Sequence, residues 1–242
     1  MNIVNPFVNR FKKEIICYGA AVYCREIRPI LQEIGYDFTI LVDDTPGLES
    51  PFEDKELLHG FCELKKWLHG RNIDDICFLI TFSRPQGIFS KLDLQRRLVN
   101  EGLTPATLCA RSADIDRTVK LEPGVIVMRH ATICGYTKIK SGTFINTKAS
   151  IDHDCYIDEG SEISPGATVC GYCCLNKFSW VCAGATIGPR VTIGENSIIG
   201  AGATVLSDVP PNSVYVGTPA RFLKENNLTP QNIKDHLKEI HE

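Results

Sequence analysis

In Ile151-Asp-His-Asp-Cys-Tyr-Ile157-Asp-Glu-Gly-Ser-Glu-Ile163-Ser-Pro-Gly-Ala-Thr-Val169 an aliphatic residue returns at every sixth position. The same frame runs back through Ile145, Ile139, Ile133, Val127 and Leu121 to Ile115. It runs on through Leu175, Val181, Ile187, Ile193 and Ile199 to Val205 without a break. A helix repeats near 3.6 residues and a strand near 2, so neither carries this period. Three such hexads make one coil of a hexapeptide β-helix, a solenoid of short stacked parallel strands.

A second position obeys the same frame. Four residues after each aliphatic the side chain is small or β-branched, as the narrow interior of a three-sided prism requires. Taken one coil apart, these positions sort into stacks. Ala131, Ala149, Ala167, Ala185 and Ala203 form one, and Thr143, Ser161, Ser179 and Ser197 a second. Thr137, Cys155, Cys173 and Val191 form the third. Three stacks with three size rules predict a triangular cross-section with coils about 4.8 Å apart. Gly166, Gly184 and Gly202 recur at corners that call for positive φ. No insertion interrupts the frame, which predicts a bare prism without an extended loop.

Ahead of the prism the pattern changes. Glu14–Tyr18, Phe38–Val42 and Ile76–Ile80 read as buried strands. Val22–Ile34, Glu56–Leu68 and Ile88–Val99 carry helical spacing, and a short strand near Ala106–Cys109 leads into the repeat. Strands alternating with helices predict a parallel sheet, here a small Rossmann-like domain. Its glycine loop keeps only Gly19. Ala20, Ala21, Val22 and Tyr23 follow where a dinucleotide site wants glycines, which argues against NAD and leaves an ordinary strand-to-helix turn as the alternative. Asp43 and Asp44, at the carboxyl end of the second strand, are better candidates for ligand contact.

The expected organisation is a Rossmann-like domain over 1–108, a left-handed parallel β-helix over 109–221 and a C-terminal capping helix over 222–242. Thr229-Pro230 supplies an N-cap and first-turn proline, and Ile233, Leu237 and Ile240 share a face. The 242 residues carry a net charge of −3, which argues against nucleic acid or an anionic membrane as partner. No apolar stretch approaches a membrane span, and Met1–Arg10 lacks the apolar core of a signal peptide. The eleven cysteines suit a reducing, cytoplasmic setting. Cys170, Cys173 and Cys174 resemble half of a metal site, but nothing completes it, so no metal is expected.

Several motifs together give the chain a family resemblance. They are Tyr18-Gly19-Ala20, Val42-Asp43-Asp44, Ile145-Asn146-Thr147 followed by His153-Asp154-Cys155, Ile163-Ser164-Pro165-Gly166-Ala167, and Gly217-Thr218-Pro219-Ala220-Arg221. From about Ile15 to Arg221 the chain resembles sugar acyltransferases of the sialic-acid O-acetyltransferase type, a group that includes N-acetyltransferases of nucleotide-linked amino sugars. The resemblance implies a cytoplasmic homotrimer that uses acetyl-CoA, with the active site between neighbouring prisms. It further implies that Asn146 contacts the acceptor and that the thioester end of CoA lies near Glu162. Ala183, Ala201 and Gly202 would line the pantetheine, and Pro219, Ala220 and Arg221 would hold the nucleotide end. The family usually has histidine where Glu162 stands. It usually has glycine, glycine and histidine where Ala21, Val22 and Tyr23 stand, so both the thioester contact and the nucleotide site depart from its pattern.

Acyl transfer to an amine or hydroxyl needs a base and a stabilised oxyanion. His153 lies at an outward corner, with Gly135 one coil below and Gly171 one coil above, an arrangement that predicts a slot beside the imidazole for a thin pantetheine arm. Asp154 follows at once and is placed to fix the ring's tautomer. His130, the other prism histidine, reads as a solvated corner. The expected activity is acetyl-CoA-dependent N-acetylation of an amino sugar, with Gly19, Ala20, Ala21, Tyr23, Asp43, Asp44 and Asn146 on the acceptor. O-acetylation of a sialic-acid-like sugar and a non-catalytic sugar-binding scaffold are the alternatives.

Overall fold

A computed structural model describes residues 12–82 and 88–227, with only the backbone at 88–90. The N-terminal domain is a five-stranded sheet in the order β3-β2-β1-β4-β5, parallel throughout. Its strands are β1 (Glu14–Tyr18), β2 (Ile40–Asp43), β3 (Leu57–His59), β4 (Ile76–Ile80) and β5 (Thr104–Pro105). Helices α1 (Tyr23–Glu33), α2 (Gly60–Leu68) and α3 (Ile88–Asn100) connect them. The strand order reverses between β1 and β4, which sets Gly19 and Thr81 at the sheet's switch point.

Two elements differ from the sequence expectation. The segment Glu56–Leu68 is not all helix: Leu57–His59 pairs with Leu41–Asp43 as an edge strand, and Gly60 at φ 78° turns the chain into α2. The apolar spacing of α2 runs smoothly into that strand, so periodicity alone does not separate them. Likewise the strand expected near Ala106–Cys109 divides. Thr104–Pro105 completes the N-terminal sheet, and Leu108–Cys109 pairs with Ile126–Val127 as the first strand of the prism. Cys109 stands in the six-residue frame one hexad before Ile115, hidden from an aliphatic count because it is a cysteine.

The prism is a left-handed parallel β-helix whose strands form three faces. Face one carries Ile126–Val127, Phe144–Ile145, Glu162–Ile163, Trp180–Val181 and Ile198–Ile199. Face two carries Thr132–Ile133, Ser150–Ile151, Thr168–Val169 and Thr186–Ile187, and face three Lys138–Ile139, Tyr156–Ile157, Cys174–Leu175 and Thr192–Ile193. Strand partners keep the sequence register through Val205. All sixteen aliphatics except Ile115 and Leu121 are buried, and those two pack on the same core. A fully buried aliphatic of this size stabilises by about 1.5–3 kcal/mol, so the stack is the main source of the prism's stability. From Gly124 to Gly202 every sixth residue has positive φ. Eight of these fourteen corners are not glycine, among them His130, Lys148, Asp154, Tyr172 and Arg190.

After Val205 the coil shortens by two residues, so that Ile193 lies beside Val209 and Ile199 beside Tyr215. Ser213–Val216 then turns back into the antiparallel strand Arg221–Glu225. Residues 222–225, expected within the capping helix, are therefore strand. They pair antiparallel with Ser213–Val216 as the edge strand of face one, and Asn226 closes onto Asn196 through its side-chain amide at 2.8 Å. Thr229, Pro230 and the helical face of Ile233, Leu237 and Ile240 lie outside the described residues.

The two domains share a core. Ile126, Met128 and Phe144 of face one are buried with Ile15, Cys17, Ala20 and Cys24 of the sheet and α1. Glu33 and Arg129 pair at 2.6 Å at one edge of this seam, and Gln95 donates to Ser141 at 2.6 Å at the other. The N-terminal domain thus straddles face one, with α1 at the corner toward face two and α3 at the corner toward face three.

Candidate functional site

His153 follows Ile151 at the corner between faces two and three, where the backbone leaves one strand for the next. Asp154 takes the left-handed conformation there (φ 57°), one that a short polar side chain tolerates. Its carboxylate oxygen Oδ2 lies 2.9 Å from His153 Nδ1. A carboxylate only accepts, so Nδ1 carries a proton, and in the neutral imidazole the lone pair is on Nε2. The nearest acidic oxygen to Nε2 is Oδ1 of Asp152 at 4.0 Å, too far for a hydrogen bond. That same oxygen accepts the His153 backbone N–H at 2.8 Å. The imidazole is half-exposed, hydrogen-bonded at one nitrogen and open at the other.

Gly171 lies over His153 as the register requires, but the slot expected there is used by the ring itself. A Cβ at Gly171 would sit 3.0 Å from both Cε1 and Nε2. The space beside Gly135 is likewise taken up by Thr118 and Asp116 of the coil before. Glycine at 171 therefore makes room for the imidazole. The backbone N–H of Gly171 has no acceptor among the described residues. His130, at its own corner, donates its backbone N–H to the Ser112 hydroxyl at 3.3 Å.

On the acceptor side the residues fall into two groups. Asn146 is buried at the corner between faces one and two. Its Nδ2 donates to the Tyr23 hydroxyl at 3.2 Å, and its Oδ1 accepts from Thr147 N at 2.7 Å. The Tyr23 ring packs on Phe144 at 5.0 Å, and burial, with Glu162 nearby, holds its hydroxyl above the usual range. Asp43 instead serves its own loop. Oδ2 accepts Ala20 N at 2.6 Å and Oδ1 accepts Thr45 N at 2.9 Å, which fixes the turn at Gly19. A side chain at Gly19 (φ 108°) would meet Phe82 and Thr81 at 3.0–3.1 Å. Ala20 is buried in the core, whereas Ala21 is exposed. Asp44 is exposed and takes the Tyr18 hydroxyl at 2.9 and 3.0 Å. It borders a cleft of about 600 Å³ formed with residues 45–49, His59 and Gly60, wholly on the N-terminal domain.

Glu162 is not at the His153 corner. It is buried on face one beside Phe144, in a polar cluster at the domain seam. Lys91 of α3 enters the same cluster with its Nζ 5.4 Å from the Phe144 ring centroid. Burial pushes the Lys91 ammonium down to about 8, and Glu162 partly opposes this. Burial beside Glu162 also pushes Cys182 up to about 12. Of the other residues assigned to CoA, Ala183, Ala201 and Gly202 are exposed along the ridge between faces one and two, the ridge that carries Asn146. Side chains added at Gly184 or Gly202 would meet nothing within 4 Å, so this ridge is a smooth, open strip. Pro219 and Arg221 are exposed, but Ala220 turns into the prism core and Arg221 Nη1 donates to its carbonyl. Asp152, Tyr172 and Lys91 are the neighbours the sequence reading does not single out. The register that sets Gly171 over His153 also sets Tyr172 over Asp154, whereas no spacing links Lys91 to Glu162.

Among the described residues no cluster of three or more potential metal ligands occurs, and no helix is long and apolar enough to cross a membrane.

Residues 176–207 match the bacterial transferase hexapeptide (six repeats) family. No curated protein sequence matches the chain. Solved structures do. A point variant of perosamine N-acetyltransferase from Caulobacter crescentus, in complex with CoA and GDP-perosamine, superposes with a TM-score of 0.80 at 22% identity, over 88% of this chain and 97% of that one. The acetyltransferase domain of PglB from Neisseria gonorrhoeae FA1090, in complex with acetyl coenzyme A, gives 0.77 at 20% identity, over 88% and 100%. WeeI from Acinetobacter baumannii AYE gives 0.76 at 22% identity, over 87% and 99%. At these identities what is shared is the architecture, domain for domain. The chain carries hexapeptide repeats and has the two-domain fold of these solved structures.

Proposed function

We propose that this protein is an acetyl-CoA-dependent N-acetyltransferase acting on a nucleotide-linked amino sugar, a cytoplasmic homotrimer serving surface-glycan synthesis. The observation that carries this reading is the His153–Asp154 pair, in which the carboxylate takes Nδ1 and leaves Nε2 available to a substrate. The similar folds solved with CoA and GDP-perosamine or with acetyl coenzyme A support the class of donor and acceptor.

Acetyl-CoA supplies the activated acetyl group. His153 Nε2 takes the proton from the acceptor amine as it attacks, and Asp154 holds the Nδ1 proton and favours the imidazolium that forms. The same imidazolium then returns its proton to the departing sulfur. Gly171 N–H is the candidate donor to the developing oxyanion, because it is a backbone donor beside the base with no acceptor among the described residues. Ala183, Ala201 and Gly202 offer a ridge without bulky side chains for the pantetheine, and Pro219 and Arg221 lie exposed at its far end. Tyr23, Asn146 and the rim at Asp44 face the acceptor.

His153 and Asn146 occupy successive corners of one coil, so a single chain separates the base from the acceptor side. This separation supports a trimer in which the ridge of one protomer meets the His153 corner of the next. The test is thiol release from acetyl-CoA against UDP-, GDP- and dTDP-linked amino sugars, with free and CMP-linked sialic acids alongside. Turnover on a nucleotide amino sugar is expected. Turnover on sialic acids alone would replace N-acetylation with O-acetylation, and silence without CoA binding would leave a scaffold.

A further inference from the structure

We propose that Tyr172, backed by Arg190, is the positioning residue that holds the His153 imidazole in the orientation presenting Nε2. This rests on the reading of His153 as the base.

One hydrogen bond does not fix a half-exposed ring. The contact between Nδ1 and Asp154 leaves the imidazole free to swing about that bond, and solvent offers no resistance. The Tyr172 ring supplies it. Its centroid lies 5.1 Å from that of His153 at an interplanar angle of 88°, the edge-to-face arrangement that aromatic pairs prefer. Gly171, the residue before Tyr172, leaves the space into which the imidazole leans. Asp154 at one edge, Tyr172 at another and the bare Gly171 backbone above define one position for the ring.

Tyr172 contributes nothing to the prism core. It is half-exposed and sits at a positive-φ corner (60°), a conformation that six of the fourteen corners fill with glycine. A bulky side chain there works against backbone preference, so its outward contacts are what it provides. Its other neighbour is Arg190, one coil on, whose guanidinium carbon lies 4.6 Å from the Tyr172 ring centroid. The backbone fixes the three in order. Tyr172 N donates to the His153 carbonyl and Arg190 N to the Gly171 carbonyl, each at 3.0 Å. The cation thus steadies a tyrosine that would otherwise be a mobile surface ring.

The experiment compares Tyr172→Leu, Tyr172→Phe and Arg190→Gln in the full-length protein, with two readouts. In turnover, Tyr172→Leu lowers kcat by about tenfold or more while KM for either substrate stays within about twofold, because a misplaced base costs rate and not ground-state affinity. Tyr172→Phe keeps the ring and recovers most of that loss, and Arg190→Gln falls between. In the protein without substrates, the imidazole C–H resonances of His153, identified by their absence in His153→Ala, move in Tyr172→Leu and hold in Tyr172→Phe. Unmoved resonances in Tyr172→Leu, or a kcat equal to the parent's, would overturn the positioning role. The resonances need no turnover, so they separate this failure from that of the base assignment, which fails when His153→Ala itself turns over normally.

Discussion

Asn146 donates its side-chain amide to the Tyr23 hydroxyl at 3.2 Å, and the bond joins a corner of the prism to the first turn of α1. Both residues belong to the candidate acceptor site, one from each domain, and they bond directly to each other. The acceptor side is thus braced by the fold. Tyr23→Phe leaves the buried Asn146 amide without this partner and is expected to destabilise by about 1–3 kcal/mol. Asn146→Ala removes the other half of the same bond. The two effects are expected to add to more than the double variant loses, by about 0.5 kcal/mol or more, in denaturant unfolding. Additive losses would show that the bond contributes nothing.

His153→Ala is expected to lower kcat by about 10²–10⁴-fold, the usual contribution of a positioned general base. Affinity for CoA, measured by calorimetry, and the oligomeric state should not change. Asp154→Asn tests the tautomer. An amide in place of the carboxylate can donate to Nδ1 and so drive the proton to Nε2, where it blocks base catalysis. Its kcat should therefore fall at least as far as that of Asp154→Ala, although asparagine is the closer shape. The reverse order would indicate that Asp154 acts only through its bulk.

The prism was legible because its interior imposes one narrow environment repeatedly, and a single frame of aliphatics meets it from Ile115 to Val205. The frame also located His153 and the bare Gly171 beside it, since residues one coil apart are neighbours in space. It hid what the backbone alone requires. Positive φ at every corner is invisible where the residue is Lys148, Tyr172 or Arg190, and Cys109 belongs to the frame without being aliphatic. The seam between domains is a different matter. Lys91 meets Phe144 and Glu162 through the packing of α3 on face one, and no local pattern encodes that meeting. Asp43 was found at the right strand end, but its two oxygens are spent on Ala20 and Thr45, a detail only side-chain geometry reveals.

Two glycine substitutions should fail in different ways. At Gly171 the backbone is ordinary, but an added Cβ lies 3.0 Å from the His153 ring, which must move away. Gly171→Ala should keep its unfolding midpoint and lose activity, on the order of 10²-fold for a displaced base. Gly142 has φ 70°, and its Cβ would lie 2.5 Å from Leu92 Cδ2 of α3. Gly142→Ala should cost about 1–2 kcal/mol in backbone strain alone, and more as Leu92 is pushed from the seam. Thermal unfolding and turnover measured on both variants give the comparison. A Gly171→Ala enzyme with full activity would mean that the imidazole has another productive position.

Lys91 makes the stability of the seam depend on pH. Its ammonium is held at about 8 in the folded protein, chiefly by burial, against an unfolded value of 10.5. Between these values the unfolded chain binds more protons, so the Lys91 contribution to stability rises with pH across that window. The cost of burying the charge is fully present below pH 8 and gone above about 10.5. At pH 7 it amounts to about 3 kcal/mol. Lys91→Met, which fills the same space without a charge, is therefore expected to raise the unfolding midpoint at pH 7. The gain should shrink steadily between pH 8 and 10. Glu162 works against it, because methionine removes the favourable charge beside a buried carboxylate. Lys91→Met combined with Glu162→Gln should accordingly gain more at pH 7 than Lys91→Met alone. A lower midpoint for Lys91→Met at pH 7, restored by Glu162→Gln, would show that attraction to Glu162 outweighs the burial cost and that the pair latches the two domains.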